Sequence, residues 1–466
     1  MLKVGSKKLR FHFIGIGGVG MSSLARVLYS LGHDVSGCDL SENKYTRMLK
    51  KEGIKVYKGH SVEHLKDVDV VVYSSAIPED NPELVLAREM GLWVLSRAQL
   101  LSEVISLYPK SILIAGSHGK TTTTSMIAEV LLKLGKNPTF LVGGIINSIN
   151  THSVLGKGEY LVAEADESDG SFLCYNPFIE VITNIDKEHL DFYADFNAIK
   201  KAFINFIKRC SPEGGVIMCG DDPGVREVLK EISGPFLLYG FSEGNELKGV
   251  IVKDDARPIV EVYYQGEFLG KLRLKIPGLH NVLNALGVIG VALMLKLPME
   301  EVFKALSEFE GTGRRLEFKG IWKRAIMIDD YAHHPTEIKA TLEALKKLYP
   351  EKRLVLVFQP HRYTRVKALW NEFLLVLKDV DVLVLTEIYP ASEKPIPGVS
   401  GEAFYESLKE LRGSKPSFFA EDKERVLELL DTLADKDKVI VTMGAGDIYR
   451  IHRRIFEEVK DESSCA

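Results

Sequence analysis

Short apolar runs alternate along this chain with amphipathic stretches of helical period, and the alternation falls into three blocks. Residues 11–17, Phe-His-Phe-Ile-Gly-Ile-Gly, read as a strand entering a glycine-rich turn and then the helical run 21–31. Further strands are expected at 34–38, 55–57, 68–73 and 93–95 with helical or polar segments between them, as in a parallel α/β sheet. A helical segment at 99–107 and then Pro109 close this block. The continuous apolar run 112–115 predicts a buried parallel strand, followed by a helix through Met126, Ile127, Val130 and Leu131. Strands follow at 139–142, 160–165, 180–184 and 216–219. Beyond Gly240 the pattern shortens to strands at 247–252, 260–264 and 271–276, expected to pair antiparallel. An apolar helix opens at 278–285, and a second from Pro298 leads to the hinge-like Gly311-Thr312-Gly313. Strands at 325–328, 354–358, 382–385 and 439–443 build a closing α/β block with its own Gly444-Ala445-Gly446-Asp447 turn. The expected boundaries are 1–107, 108–312 and 313–466.

Totals change this picture little. A length of 466 residues suits three domains, each with its own core. The net charge of −4 supplies no basic field, so neither nucleic acid nor an anionic membrane is an expected partner. Cys38, Cys174, Cys210, Cys219 and Cys465 are scattered and odd in number, as for reduced thiols, and no Cys-x-x-Cys pair suggests structural zinc. Residues 1–10 lack the apolar core of a signal peptide, and no apolar run has the length of a membrane span; a cytoplasmic enzyme is expected.

Two glycine loops carry the first chemistry. Gly15-x-Gly17-x-x-Gly20 follows a strand and opens a helix, with Gly18 and Val19 inside it and Asp39 at the end of the next strand. That is the Rossmann-like arrangement for a nucleotide diphosphate, NAD included. Gly116-Ser117-His118-Gly119-Lys120-Thr121-Thr122 is a shortened P-loop, with Ile114 where the full pattern has a glycine. Its helix N-terminus offers N–H groups to phosphate oxygens, Lys120 adds a point charge, and the Thr121 hydroxyl suits Mg²⁺.

Carboxylates gather at two strand ends. Glu164-Ala165-Asp166-Glu167-Ser168-Asp169 leaves a buried strand on the side where ligands bind in open α/β sheets. Acids so close repel unless a cation neutralises them, and a hard ion such as Mg²⁺ prefers these oxygens; Glu164, first after the strand, is the leading ligand. Asn184-Ile185-Asp186-Lys187-Glu188-His189-Leu190-Asp191 repeats the arrangement, and His189 suits a second ion beside Glu164. In the third block, Asp329-Asp330-Tyr331-Ala332-His333-His334-Pro335 and His361-Arg362-Tyr363-Thr364-Arg365 follow adjacent strands and make a cationic rim for carboxylate or phosphate. Zinc on His333, His334 and His361 is disfavoured, because adjacent histidines seldom point at one ion. Arg314-Arg315 at the hinge could reach a γ-phosphate on domain closure, or could simply be a solvated pair.

In order along nearly the whole chain, these motifs, with His280-Asn281 and Gly311-Thr-Gly-Arg-Arg315, resemble the Mur ligase family. The resemblance implies an α/β enzyme of three domains: an N-terminal Rossmann-like parallel sheet, a central P-loop-type ATPase domain with added antiparallel strands, and a C-terminal Rossmann-like domain. It implies ATP-dependent joining of L-alanine to the lactoyl carboxylate of UDP-N-acetylmuramate through an acyl phosphate, with ATP and two Mg²⁺ ions as cofactors. It assigns UDP rather than NAD to Gly15, Gly17, Gly18, Val19 and Gly20, with Asp39, His60, Ser74 and His118 nearby. ATP falls to Gly116, Ser117, His118, Gly119, Lys120, Thr121, Thr122, Asn281, Arg314 and Asp330, and metal to Thr121, Glu164 and His189. Catalysis is expected from Lys120, His189 and Arg314, and the amino-acid end from Tyr331, His333, Arg362 and Arg365. The partners implied are these small molecules, and the chain is expected as a monomer or weak homodimer. Sister ligases place a carbamylated lysine where this chain has Phe203, so that modification is not expected, although Lys200 and Lys201 are near.

Overall fold

The computed structural model describes residues 7–74, 76–189, 192–391 and 393–456; the expectations placed on Asp191, Cys465 and the first six residues lie outside them. Each of the three blocks contributes one sheet. The first is wholly parallel, in the order Lys55–Lys58, Asp34–Asp39, Arg10–Ile14, Val70–Tyr73, Trp93–Ser96. Helices cover both faces, so neighbouring positions of one strand enter different cores. Phe11 and Phe13 pack with Leu24 and Leu28, whereas Ile14 packs with Val71 and Leu84. The strand order reverses beside Arg10–Ile14, and the glycine loop leaves that strand into the crevice so formed.

The second sheet has ten strands and runs parallel through its centre, where Ile179–Ile182 and Tyr160–Glu164 flank Lys110–Ala115. Hairpins close both edges. Glu267–Leu272, expected at 271–276, begins earlier because Gln265 and Gly266 (φ 50° and 87°) make a two-residue hairpin turn. The other edge strand, Thr151–Val154, and the inner strand Phe236–Gly240 have no counterpart in the expected pattern. The third sheet is parallel except for Glu317–Trp322, which folds back on Ala325–Asp330 through Lys323-Arg324.

Contacts between the sheets position the site. Helix Val19–Ser30 lies on the edge hairpin of the second sheet, with Arg26 donating to Thr151 Oγ1 and Ser153 O, both at 2.7 Å. The connector to the third sheet stays on the second until Gly313 N donates to Ile145 O (2.8 Å), then turns at Arg314 (φ 62°). Among the described residues, no helix is long and apolar enough to cross a membrane.

One core residue runs against the pattern. Glu180, on Ile179–Ile182, is fully buried, and neither carboxylate oxygen has a hydrogen-bond partner. Burial raises its pKa well above the ordinary value, so folding takes up a proton once the pH exceeds the unfolded value of 4.5. Stability contributed at this position therefore falls as pH rises toward the folded value. Glu180→Gln is expected to melt higher than the parent at about pH 8, with the gap closing toward about pH 5. Each kcal/mol recovered corresponds to roughly 2–4 °C at this domain size, and calorimetry at the two pH values checks it.

Candidate active site

The loop between strand Lys110–Ala115 and helix Lys120–Lys133 takes a path open to glycine at two points. Gly116 has φ 131°, and a Cβ there would lie 2.2 Å from Thr183 Oγ1; Gly119 has φ 83°, and its Cβ would meet Asn284 Oδ1 at 2.6 Å. Helix Lys120–Lys133 carries no side-chain cap, so its first-turn N–H groups face the loop as an anion site. The neighbouring strand end fixes the loop: His118 N donates to Asn184 Oδ1 (2.8 Å), and Ser117 Oγ accepts from Asp186 N (2.9 Å). Lys120 Nζ lies against Glu167 (2.8 and 2.9 Å) and Gly116 O (2.5 Å). Burial opposes the lysine's charge, but the Glu167 carboxylate outweighs it and holds the pKa above the ordinary value.

The acids separate into two donor sets. Glu164 accepts from Gly143 N (2.6 Å); burial raises its carboxyl against the opposing pull of Gly143 N–H, Lys120 and the Thr121 hydroxyl. His189 Nε2 lies 3.4 Å from Glu167 and 3.6 Å from Glu188. The donor atoms of Glu167, Glu188 and His189 all lie within 4.8 Å of one another, close enough for one cation. Glu167 and Glu188 belong to the two acidic runs of the sequence but not to the expected ligand set of Thr121, Glu164 and His189. Phe203 is wholly buried in the core and Lys200 pairs with Glu227 (2.7 Å), so neither faces this group.

Across the junction the third sheet supplies cations to these acids. Glu188 lies 3.3 Å from Arg365 Nη2 and 3.7 Å from His333 Nε2, and Thr336 Oγ1 donates to Asp186 (2.9 Å). His118 sits between Asp186 (3.2 Å) and Glu337 (3.5 Å); burial disfavours its charge, yet the Asp186 hydrogen bond and the Glu337 carboxylate hold its pKa up at about 10. His334, 4.7 Å away ring to ring, is pushed down to about 4 by burial and by the His118 cation. Glu188 and Glu337 are held well below the ordinary carboxylate value despite burial: His333, His118 and Arg365 act on Glu188, and His333, His118 and Arg315 on Glu337.

A cavity of about 310 Å³ opens at this junction, lined by His118, Gly119, Thr122, Asn281, Arg315 and Asp330 among others. Asn281 donates to Pro277 O (2.7 Å), and burial lifts Asp330 to about 6. Of the hinge arginines it is Arg315 that lines this space. Arg314, expected there, is committed elsewhere: its guanidinium donates to Asp329 (3.0 Å) and Gly444 O (2.7 Å) and lies over Tyr331 and Tyr449. A second cavity, about 120 Å³, joins His189 and Glu188 to Arg362 and Arg365. His333 N donates to Glu337 (3.1 Å), and its ring meets Tyr331 edge-on.

In the first domain, Gly15 N donates to Cys38 O (2.9 Å), Gly17 N donates to Asp39 (2.9 Å), and Gly18 precedes the helix that begins at Val19. Gly20 lies against Arg97, a residue the sequence did not mark, whose guanidinium is 3.7 Å from Asp166 and so links this loop to the acids. Ser74 N donates to Ile14 O (3.3 Å) at the same strand end. His60 instead faces Glu83 and Cys38, 3.2 Å from each.

Three family profiles match in succession: the Mur ligase family catalytic domain over residues 10–109, the Mur ligase middle domain over 114–292, and the Mur ligase glutamate ligase domain over 314–446. The chain belongs to the Mur ligase family. UDP-N-acetylmuramate–L-alanine ligases of Solidesulfovibrio magneticus and Aquifex aeolicus are each 46% identical to this Mur ligase, covering 97% of it and 98% of their own length. The crystal structure of a UDP-N-acetylmuramate–alanine ligase from Thermotoga maritima superposes with a TM-score of 0.84 at 31% identity, over 97% of this chain and 100% of that one.

The His118 pairing makes a titration prediction for this Mur ligase. A histidine raised in the folded state contributes stability that is complete below the ordinary value of 6.5 and is lost as pH rises through about 10. The His118 imidazole is expected to stay protonated through about pH 8. Asp186→Asn is expected to bring its titration down toward neutrality, as read by NMR.

Proposed function

We propose that this Mur ligase joins L-alanine to the lactoyl carboxylate of UDP-N-acetylmuramate, with ATP and through an acyl phosphate, as a step of peptidoglycan precursor synthesis. The observation that carries this reading is one junction: the Lys120 loop and the acidic strand ends on one side, and the Arg315, His333 and Arg365 rim on the other. Its three units, 1–107, 108–312 and 313–466, take the UDP-sugar, the nucleotide and the amino-acid end respectively.

A carboxylate is a poor acyl donor because its oxygen is a bad leaving group. Once phosphorylated it loses phosphate readily when an amine attacks. The Gly116–Gly119 turn and the helix N-terminus cradle the triphosphate, and Lys120 exchanges Glu167 for phosphate oxygens. Asn281, Asp330 and Arg315 line the space for the rest of the nucleotide. Thr121 with Glu164, and His189 with Glu167 and Glu188, offer hard oxygen and imidazole donors suited to two Mg²⁺ ions. Magnesium in these places supplies charge stabilisation for phosphoryl transfer. Gly15, Gly17, Gly18, Val19 and Gly20 turn backbone toward the UDP pyrophosphate. Tyr331, His333, Arg362 and Arg365 border the amino-acid end, where contact between the second and third sheets excludes water from the acyl phosphate.

Phosphate release that needs UDP-N-acetylmuramate, ATP and L-alanine together is the expected activity; release unchanged when alanine is omitted or replaced by other amino acids would overturn it. Lys120→Ala is expected to lower kcat by at least roughly 10²–10³-fold while UDP-sugar binding, read by calorimetry, survives. The hinge arginines should separate: Arg315→Ala raises KM for ATP with little change in Tm, whereas Arg314→Ala lowers Tm, because its guanidinium ties the hinge to Asp329 and Gly444.

A further inference from the structure

A cluster of titratable side chains lies in the first domain, outside the site above. His12 comes from the first strand, Cys38 from the end of Asp34–Asp39, His64 from the short helical turn Val62–Leu65, and Glu83 from helix Pro82–Glu89. One donor atom from each lies within 4.8 Å of all the others. His12, Cys38 and Glu83 are fully buried, while His64 keeps 12% side-chain exposure and gives the cluster its side toward solvent.

The hydrogen bonds around the cluster set its chemistry. His12 Nδ1 lies 2.9 Å from Ser36 Oγ, whose hydroxyl also reaches Phe11 O at 3.3 Å. With Nδ1 engaged by Ser36, the ring turns Nε2 into the cluster. Nε2 has no hydrogen-bond partner, and 3.6 Å away it meets Glu83 Oε1. A buried imidazole nitrogen facing a buried carboxylate needs a positive centre between them, either a proton on Nε2 or a bound cation. Glu83 Oε1 meanwhile lies 2.6 Å from His64 Nδ1 and accepts from Ser61 N (3.1 Å), and Oε2 lies 2.9 Å from Cys38 Sγ and 3.2 Å from His60 Nδ1. The His64 ring is held by stacking on Tyr57, 4.1 Å between centroids.

We infer that His12, Cys38, His64 and Glu83 form a binding site for a tetrahedral transition-metal ion of the zinc class, distinct from the nucleotide-side cation positions. Two imidazoles, one thiolate and one carboxylate are the borderline-soft donor set that zinc selects and magnesium does not. Bonds of about 2.0–2.3 Å place tetrahedral donors roughly 3.3–3.7 Å apart, so through Oε1 the His12–Glu83 pair already fits, the His64–Glu83 contact opens by less than about 1 Å, and pairs as far as 4.8 Å apart close by about 1 Å. Charge balances as well. A divalent ion against one thiolate and one carboxylate leaves the buried site neutral, and the displaced Cys38 proton leaves to solvent. Without a cation, burial and Glu83 push the Cys38 thiol up and keep it protonated. Because Cys38 O accepts from both Gly15 N (2.9 Å) and Ile16 N (3.0 Å), the ion would staple four elements directly behind the first glycine loop.

Cobalt reports this site without reference to activity. The full-length chain, stripped with chelator and titrated with Co²⁺ in excess Mg²⁺, is expected to develop tetrahedral d–d bands and a thiolate-to-cobalt charge-transfer band. That band should saturate near about one equivalent and be displaced by Zn²⁺. Cys38→Ser should lose the charge-transfer band. His64→Ala, on the solvent side, should weaken Co²⁺ binding by at least the roughly 10–100-fold that even an outer-shell change costs. Absence of a charge-transfer band in the parent, or a band of undiminished intensity and affinity in Cys38→Ser or His64→Ala, would overturn the assignment.

Discussion

Glu188 and Glu337 are buried carboxylates whose partners come from both the second and the third domain. Glu188 rises from the second sheet and finds Arg365 and His333 on the third; Glu337 belongs to the third and finds His118 on the second. Buried charge is costly unless paired, so each domain adds to the pairing that the other begins. The cavity, the acid clusters and the cationic rim exist as one site because this exchange of partners holds the two domains together.

The two glycine loops solve one problem in different surroundings. In the first, backbone N–H groups already engage Asp39 and Cys38 O, and a cation, Arg97, stands behind the helix start. In the second, the helix N-terminus is uncapped and its lysine is paired with an acid from the adjacent strand. Local sequence chose the turn in both cases; the strand ends around it chose the charge.

That division explains what was legible beforehand. Strand–turn–helix units, both loops and the acidic strand ends show in the order of residue types, because backbone geometry and local polarity write them there. The hairpin at Gln265-Gly266 escaped a reading that let the apolar run after it set the strand. The different fates of Arg314 and Arg315 also escaped it. Adjacent identical residues are separated by a positive φ at Arg314 and by its contacts with Asp329, Tyr449 and the carbonyl of Gly444, all properties of the assembled third domain. Glu337 was hidden similarly: it looks like an ordinary acid in the first turn of helix Pro335–Leu348 until His118 is brought against it.

The bond between Lys120 and Glu167 makes the loop an ion exchanger. An incoming anion has to outcompete a carboxylate already in contact, so its gain is only the difference between two pairings. Singly charged anions of the cell gain little from that trade, while a polyphosphate that also engages the helix N-terminus gains much. Selectivity for highly charged ligands is thus set partly by the competitor the protein carries within itself.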